Sequence, residues 1–174
     1  MQIRQSLETE KEQLRKLHLE TFGEEEGDSV STLTLQLLDD PTAQPLLSLI
    51  AKQNNQILGH ILFTKVSIEG NQAQGGFILA PLAVSQECQR SGIGKKLIQT
   101  GLDKLKEQGA EFVLVLGDPV YYSLSGFHTK HQIKPPYELP YPEAWMAQEL
   151  KPGFLANISG TVRCADALNE RKYW

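Results

Sequence analysis

The sequence predicts a mixed α/β fold: a central, twisted, mostly antiparallel sheet with one parallel strand–helix–strand unit, flanked by helices. Three observations carry that class. Apolar, β-branched segments run from Leu46 to Val84 and are punctuated by turn residues. A 3.6-residue periodicity follows, with Ile93, Leu97, Ile98, Gly101, Leu102 and Leu105 on one face and Lys95, Lys96, Asp103, Lys104 and Lys106 on the other. Then Phe112–Leu116 is apolar at every position. Alternation marks strands packed on one side, the longer period marks an amphipathic helix, and a wholly apolar run marks a strand buried on both faces, hence a central and parallel one.

The elements follow in order. A short strand at Gln2–Gln5 leads into an amphipathic helix over Glu8–Glu20, and Phe22-Gly23-Glu24-Glu25-Glu26-Gly27 breaks it. A second helix is predicted over Val30–Leu38, ended by Pro41 and Pro45. Strands at Leu46–Lys52 and Gln56–Ile68 are joined by the turn pair Asn54-Asn55. Gly70-Asn71 turns into a strand at Gln74–Leu79, and Pro81–Val84 reads as a further strand. Gly109 stops the amphipathic helix. Asp118-Pro119, a capping carboxylate followed by a first-turn proline, opens a short helix that Gly126 ends. Beyond Phe127 the segment 134–145 holds four prolines, Glu143–Glu149 reads as a helix, and Ile158–Cys164 reads as a last strand. The predicted order is therefore β-α-α-βββ-α-β-α-β.

Composition narrows the function. With 174 residues, 40% hydrophobic and 22% charged, the chain can bury a core of its own and reads as one domain over 1–174, with 128–174 as a more divergent C-terminal part. Seventeen basic against twenty-one acidic residues give a net charge of −4, which argues against bulk attraction to nucleic acid or an anionic membrane. No apolar run approaches a membrane span, and the polar start MQIRQSLETEKEQLRK lacks the apolar core of a signal peptide. The two cysteines, Cys88 and Cys164, have neither disulfide-scaffold nor metal-ligand spacing, so no metal is expected and a cytoplasmic location is the default.

Chemistry concentrates between Val84 and the amphipathic helix, in Ser85-Gln86-Glu87-Cys88-Gln89-Arg90-Ser91-Gly92-Ile93-Gly94-Lys95. First-turn amides of a helix lack intrahelical acceptors, and the helix dipole places partial positive charge there. Two glycines let an anion approach the backbone, and Arg90, Lys95 and Lys96 add charge, so the loop reads as a cradle for a pyrophosphate or as an ordinary tight turn. It has neither the Gly-Lys-Ser/Thr of a P-loop nor the full Gly-x-Gly-x-x-Gly of a dinucleotide site.

Gln89-Arg90-Ser91-Gly92-Ile93-Gly94 resembles the Gln/Arg-x-x-Gly-x-Gly/Ala motif of the GNAT superfamily of acyl-CoA-dependent N-acetyltransferases. Leu82-Ala83-Val84 resembles that family's strand beside the pantetheine arm, and Tyr122-Ser123-Leu124-Ser125-Gly126-Phe127 resembles its Tyr-x-x-x-Gly-Phe segment. The block Val115–Tyr122 is similar to the YhbS-type branch of predicted acetyltransferases. The resemblance covers about Met1 to Phe127 in element order.

It implies a GNAT-like fold and acetyl-CoA as co-substrate. The backbone of Leu82, Ala83 and Val84 would bond the pantetheine. Gln89, Arg90, Ser91, Gly92, Ile93, Gly94 and Lys95 would hold the pyrophosphate. Tyr122 would be the general acid for the departing thiolate, while Tyr121, pointing the other way on the helix, is expected to pack. Asp118 lies near where the family often has an asparagine on the pantetheine, but as a residue it reads first as a helix cap. Glu25, Glu26, His60, Glu87 and Glu143 are base candidates that no spacing singles out. Cys88 reads as an exposed loop thiol. The acceptor would be a small-molecule or peptide amine, and a homodimer is common in the family. The segment 134–145 could be a lid over the acceptor, the cover of a sheet edge or a dimer contact. A non-catalytic acyl-CoA-binding or regulatory module on the same cradle is the competing expectation.

Overall fold

A computed structural model describes residues 1–72 and 75–174. The elements are β1 (Gln2–Gln5), α1 (Lys11–Asp39), β2 (Leu47–Gln53), β3 (Gln56–Ile68), β4 (Gly76–Val84), α2 (Ile93–Glu107), β5 (Phe112–Leu116), α3 (Pro119–Ser123), β6 (Gln132–Lys134), β7 (Trp145–Glu149) and β8 (Ser159–Arg163). The main sheet runs β1-β2-β3-β4-β5-β7, and only β4 and β5 are parallel within it. Off this path β6 and β8 make a second, short parallel pair, and β8 joins the far end of β3 through Ser67 and Ile68.

Alternation along the strands sorts the core onto two faces. Leu62, Val66, Ile78, Leu114 and Ala147 point toward Leu33 and Leu37 of α1 and toward C-terminal residues such as Leu155 and Leu168. Their neighbours Ile61, Phe63, Leu79, Val113, Val115 and Met146 meet the apolar stripe of α2. Phe112–Val115 is thus buried on both sides, as its composition requires.

Three expectations change. The two predicted N-terminal helices meet directly, with the break confined to Gly23 (φ 74°, ψ −165°), so the acidic stretch Glu24–Glu26 is helical rather than loop. The segments Gln74–Leu79 and Pro81–Val84 are parts of a single strand, β4; Gln74 itself lies outside the described residues. The helix expected over Glu143–Glu149 is a 3₁₀ turn (Pro142–Ala144) followed by strand β7, which pairs with β5 from Phe112↔Glu149 to Leu116↔Trp145. Met, Ala, Gln and Glu favour helix weakly, and the open edge of a buried strand outweighs that preference. No helix among the described residues is long and apolar enough to cross a membrane.

Two polar clusters tie α1 to the sheet. Glu10, almost fully buried, accepts from both terminal nitrogens of the Arg4 guanidinium (2.6 and 3.0 Å), Lys52 Nζ (3.1 Å) and the Leu7 amide (2.9 Å). The Arg4 hydrogen bonds hold its carboxyl down to about 2, against the opposing effect of burial. Deeper, His18 Nε2 of α1 meets His60 Nδ1 of β3 at 2.8 Å. His60 Nε2 meets Ser48 Oγ at 2.8 Å, and that hydroxyl meets Ser6 Oγ at 2.6 Å.

Both imidazoles are fully buried. Desolvation lowers His18 to about 4 and holds His60 well below its ordinary value, with the neighbouring His18 adding to the latter. A folded-state value below the unfolded one means that the unfolded chain binds more protons between about 6.5 and 4. Stability is therefore full above pH 6.5 and falls as the pH drops through that window, whereas the Glu10 contribution is lost only below about 4.5. Urea midpoints should decline from pH 7 to pH 4.5, and His60→Gln should lower the midpoint at pH 7 while flattening that decline. An unchanged slope in the variant would remove His60 from the acid response.

Candidate active site

The site begins where two strands part. β4 and β5 pair from Gly76↔Phe112 to Leu79↔Val115 and no further, although β4 continues to Val84. On its other side Phe63 opposes Leu79 and Ile61 opposes Leu82, so two residue steps on β3 match three on β4. The extra residue is a bulge at Ala80-Pro81. Proline has no N–H for a ladder, and a bulge is where a strand accommodates one. Beyond it, Ala80–Val84 has no strand partner toward β5, so backbone groups of this stretch line a gap.

The loop after β4 delivers the start of α2 to that gap. The Val84 carbonyl accepts from Thr21 Oγ1 and Gln89 Nε2, both at 3.3 Å, and the Ser85 amide donates to the Leu58 carbonyl at 2.8 Å. Ser91 Oγ donates to the Cys88 carbonyl. Arg90 (φ 62°) and Gly92 (φ 87°) then turn the chain through the left-handed region, and Gly92 caps α2 without a side chain. The first helical bond runs from the Lys96 amide to the Gly92 carbonyl at 3.0 Å. The amides of Ile93, Gly94 and Lys95 consequently have no intrahelical acceptor. They stand at the positive end of α2, beside the Arg90 and Lys95 side chains, on the wall of a cavity of about 590 Å³.

The opposite wall is α3. Asp118 Oδ1 accepts the Val120 amide at 2.9 Å and Pro119 occupies the first turn, as their sequence predicts. Tyr122 packs edge-on against Phe127 (5.8 Å between centroids) and Tyr121 (5.1 Å). Burial, then Tyr121 and Asp118, push its hydroxyl well above the ordinary tyrosine range. It therefore stays protonated at neutral pH and can donate. Tyr121, expected to turn away, also lines this cavity. Its hydroxyl lies over the start of α2, so close that a Cβ on Gly94 would stand 2.2 Å from it. That approach requires the second glycine of the motif. The clue was in the sequence as adjacent tyrosines opposite an open-faced glycine, but helical direction alone could not show that one turn of α3 presents both.

A second cavity, of about 360 Å³, adjoins the first; Phe22, Leu82, Asp118 and Tyr122 line both. Its other walls are Val30 and Leu33 of α1, the bulged part of β4, and Leu168, Tyr173 and Trp174. These C-terminal residues carried no motif. Trp174 is fixed by its indole N–H on the Leu168 carbonyl (2.8 Å) and by Trp145 (5.5 Å between centroids).

Of the residues expected to hold acetyl-CoA, Leu82, Val84, Gln89, Arg90, Gly92, Ile93, Gly94 and Lys95 line the first cavity, as does Cys88. Ala83 buries its side chain with Leu14, Leu17 and Ile50, and Ser91 is not part of the wall. None of Glu25, Glu26, His60, Glu87 or Glu143 lines either cavity. Neither does segment 134–145. Instead Tyr137 donates to the Asn169 carbonyl (2.6 Å) and Trp145 to the Ile133 carbonyl (2.9 Å), bracing the C-terminal segment from outside. Among the described residues no cluster of three or more His, Cys, Asp or Glu could hold a metal.

The chain belongs to the GNAT family of acetyltransferases. Residues 11–125 match the family described as "Acetyltransferase (GNAT) family". The chain is 38% identical over 161 residues to the uncharacterized N-acetyltransferase YjhQ of Escherichia coli (strain K12), covering 88% of this chain and 86% of that one. Its fold is similar to that of the N-acetyltransferase YhbS of Escherichia coli in complex with CoA, with a TM-score of 0.88, 26% identity, and coverage of 98% and 92%. A GNAT acetyltransferase of Brucella melitensis in complex with acetyl-CoA aligns with a TM-score of 0.77 and 27% identity, over 96% and 97%.

The cap on α3 gives a direct test of local geometry. Asp118→Ala should cost about 1 kcal/mol in urea denaturation, whereas Asp118→Asn, an equally good cap, should be nearly neutral. Equal losses in both variants would show that the carboxylate acts through something other than the Val120 amide.

Proposed function

We propose that the protein transfers an acetyl group from acetyl-CoA to a primary amine by direct attack within a ternary complex, the whole chain acting as one catalytic unit. The observation that carries this reading is the meeting of the two cavities at Tyr122, beside the unpaired stretch of β4. One cavity has the features of a donor site: free amides at a helix N-terminus, two cations and a strand with unpaired backbone. The other is a partly open, mostly apolar space on the far side of the same tyrosine. The CoA and acetyl-CoA complexes of similarly folded proteins supply the donor.

The steps follow from the geometry. The amides of Ile93, Gly94 and Lys95, with Arg90 and Lys95, bind the pyrophosphate. The pantetheine lies along Leu82–Val84 and completes the broken ladder through its amides. A β4 amide polarises the thioester carbonyl, a contact worth about 3 kcal/mol in the transition state. The amine must be unprotonated when it attacks, because an alkylamine near pKa 10.4 is an ammonium at neutral pH and its nitrogen then has no lone pair. Its nitrogen then bonds to the carbonyl carbon and the carbon–sulfur bond breaks. Tyr122 gives its proton to the leaving thiolate, and the one surplus proton on nitrogen passes through solvent to restore the tyrosine.

Two variants separate binding from chemistry. Gly92→Asp or Gly94→Asp places a carboxylate among the amides, and the latter also displaces Tyr121. Calorimetric titration should show loss of acetyl-CoA and CoA binding, with ATP and NAD inert in the parent protein. Normal binding in either variant would refute the cradle. Tyr122→Phe should lower kcat by on the order of 10²-fold at nearly constant acetyl-CoA affinity. An unchanged rate of chemistry would remove Tyr122 from the mechanism.

A further inference from the structure

The charged side chains around the two cavities are sorted. Arg90 and Lys95 line only the first, where the pyrophosphate is placed, and Asp118 lines both. Asp118 is the one charged side chain on the wall of the second cavity among the described residues. The remainder of that wall is apolar, from Phe22 and Val30 to Leu168 and Trp174, and the Trp174 indole N–H is already used by the Leu168 carbonyl. Tyr173 and Tyr122 are the other polar side chains present, and the Tyr173 hydroxyl is buried without a hydrogen-bond partner among the described residues.

Resting on the acetyltransferase reading above, we infer that the acceptor is a primary monoamine carried on an apolar body, and that Asp118 receives its ammonium group. A cavity of about 360 Å³ is within the size range of small-molecule sites and holds an arylalkyl or alkyl chain. A polyamine or an aminoglycoside would have to leave further ammonium groups against the side chains of Val30, Leu33 and Trp174, with no side-chain carboxylate besides Asp118 to meet them. A buried, unpaired charge is strongly disfavoured. Asp118 stands at the junction, four residues before Tyr122, so an ammonium held there lies beside the thioester. Its exposure lets the proton that the ammonium must lose pass to water. The carboxylate cap on α3 therefore has a second role: Oδ1 fixes the helix while the charge locates the nucleophile.

Calorimetry with acetyl-CoA comes first, on the parent protein, Asp118→Asn and Val30→Trp. Free-thiol release is then followed with 2-phenylethylamine, hexylamine, ethylamine, spermidine and kanamycin. The two apolar monoamines should exceed spermidine and kanamycin at least tenfold in kcat/KM. Asp118→Asn, which keeps the cap, should raise the KM for them at least tenfold with acetyl-CoA affinity within twofold of the parent. Val30→Trp, which fills the cavity, should shift preference from 2-phenylethylamine toward ethylamine at least fivefold. A preference for spermidine or kanamycin, or an unchanged amine KM in Asp118→Asn, overturns the inference. So does an enzyme that ignores the identity of the amine but prefers octanoyl-CoA to acetyl-CoA, which would assign the cavity to the acyl chain. Failure with every amine in protein that binds acetyl-CoA sinks the acceptor class alone. Failure to bind acetyl-CoA sinks the donor reading with it.

Discussion

Everything at the candidate site depends on two parallel strands that part after four paired positions. A parallel ladder inside a sheet would ordinarily continue as long as both strands do, because an unpaired buried amide or carbonyl is costly. Here β5 ends at Leu116 while β4 runs on through a bulge that carries a proline. The divergence leaves a slot with backbone polarity on one wall. Its position is set by elements that cannot close it: α2 begins at one end with a glycine cap, and α3 fills the other with two tyrosines.

The wall opposite β4 owes its placement to polar contacts as well as to packing. Phe22 lines both cavities and stacks on His18, with ring planes 6° apart and centroids 6.0 Å apart. His18 in turn is tied to His60, which sits across from Ala83 on the unpaired part of β4. Hydrogen bonds between neutral buried rings specify one arrangement of helix on sheet, where apolar side chains alone would tolerate several. The same arrangement is exposed to acid, since burial disfavours charge on either imidazole. Site geometry and resistance to low pH are therefore coupled through one pair of side chains.

Much of this was legible in the sequence for local reasons. The periodicity of Ile93–Leu105, the all-apolar Phe112–Leu116 and the Asp118-Pro119 start each record a single element's own requirement, and each element formed where its pattern lies. The glycine motif indicated the cradle because backbone conformation at Gly92 and close approach at Gly94 are themselves local demands. What escaped notice depends on partners distant in the chain. Trp145–Glu149 becomes a strand because β5 offers it an edge, and no residue within the segment announces that edge. Trp174 reaches the second cavity through contacts with Leu168 and Trp145, and Tyr121 acquires meaning only once α2 lies beneath it. Asp118 was readable as a cap; its location between two cavities was not.

Gly23 divides α1 into halves with different obligations. The first half is bound to the sheet through Glu10, His18 and the apolar residues Leu14 and Leu17. The second carries Val30 and Leu33, which face the second cavity. No atom lies within 4 Å of where a Cβ on Gly23 would stand, so the joint is not itself wedged by packing. Val30, only half-buried, can thus be varied to reshape one chamber, whereas Leu33 and Leu37 of the same half also pack against the sheet. In evolutionary terms the wall of the second cavity at Val30 is a separable trait: a lineage can vary it on one half of a helix while the loop that opens α2 is inherited unchanged.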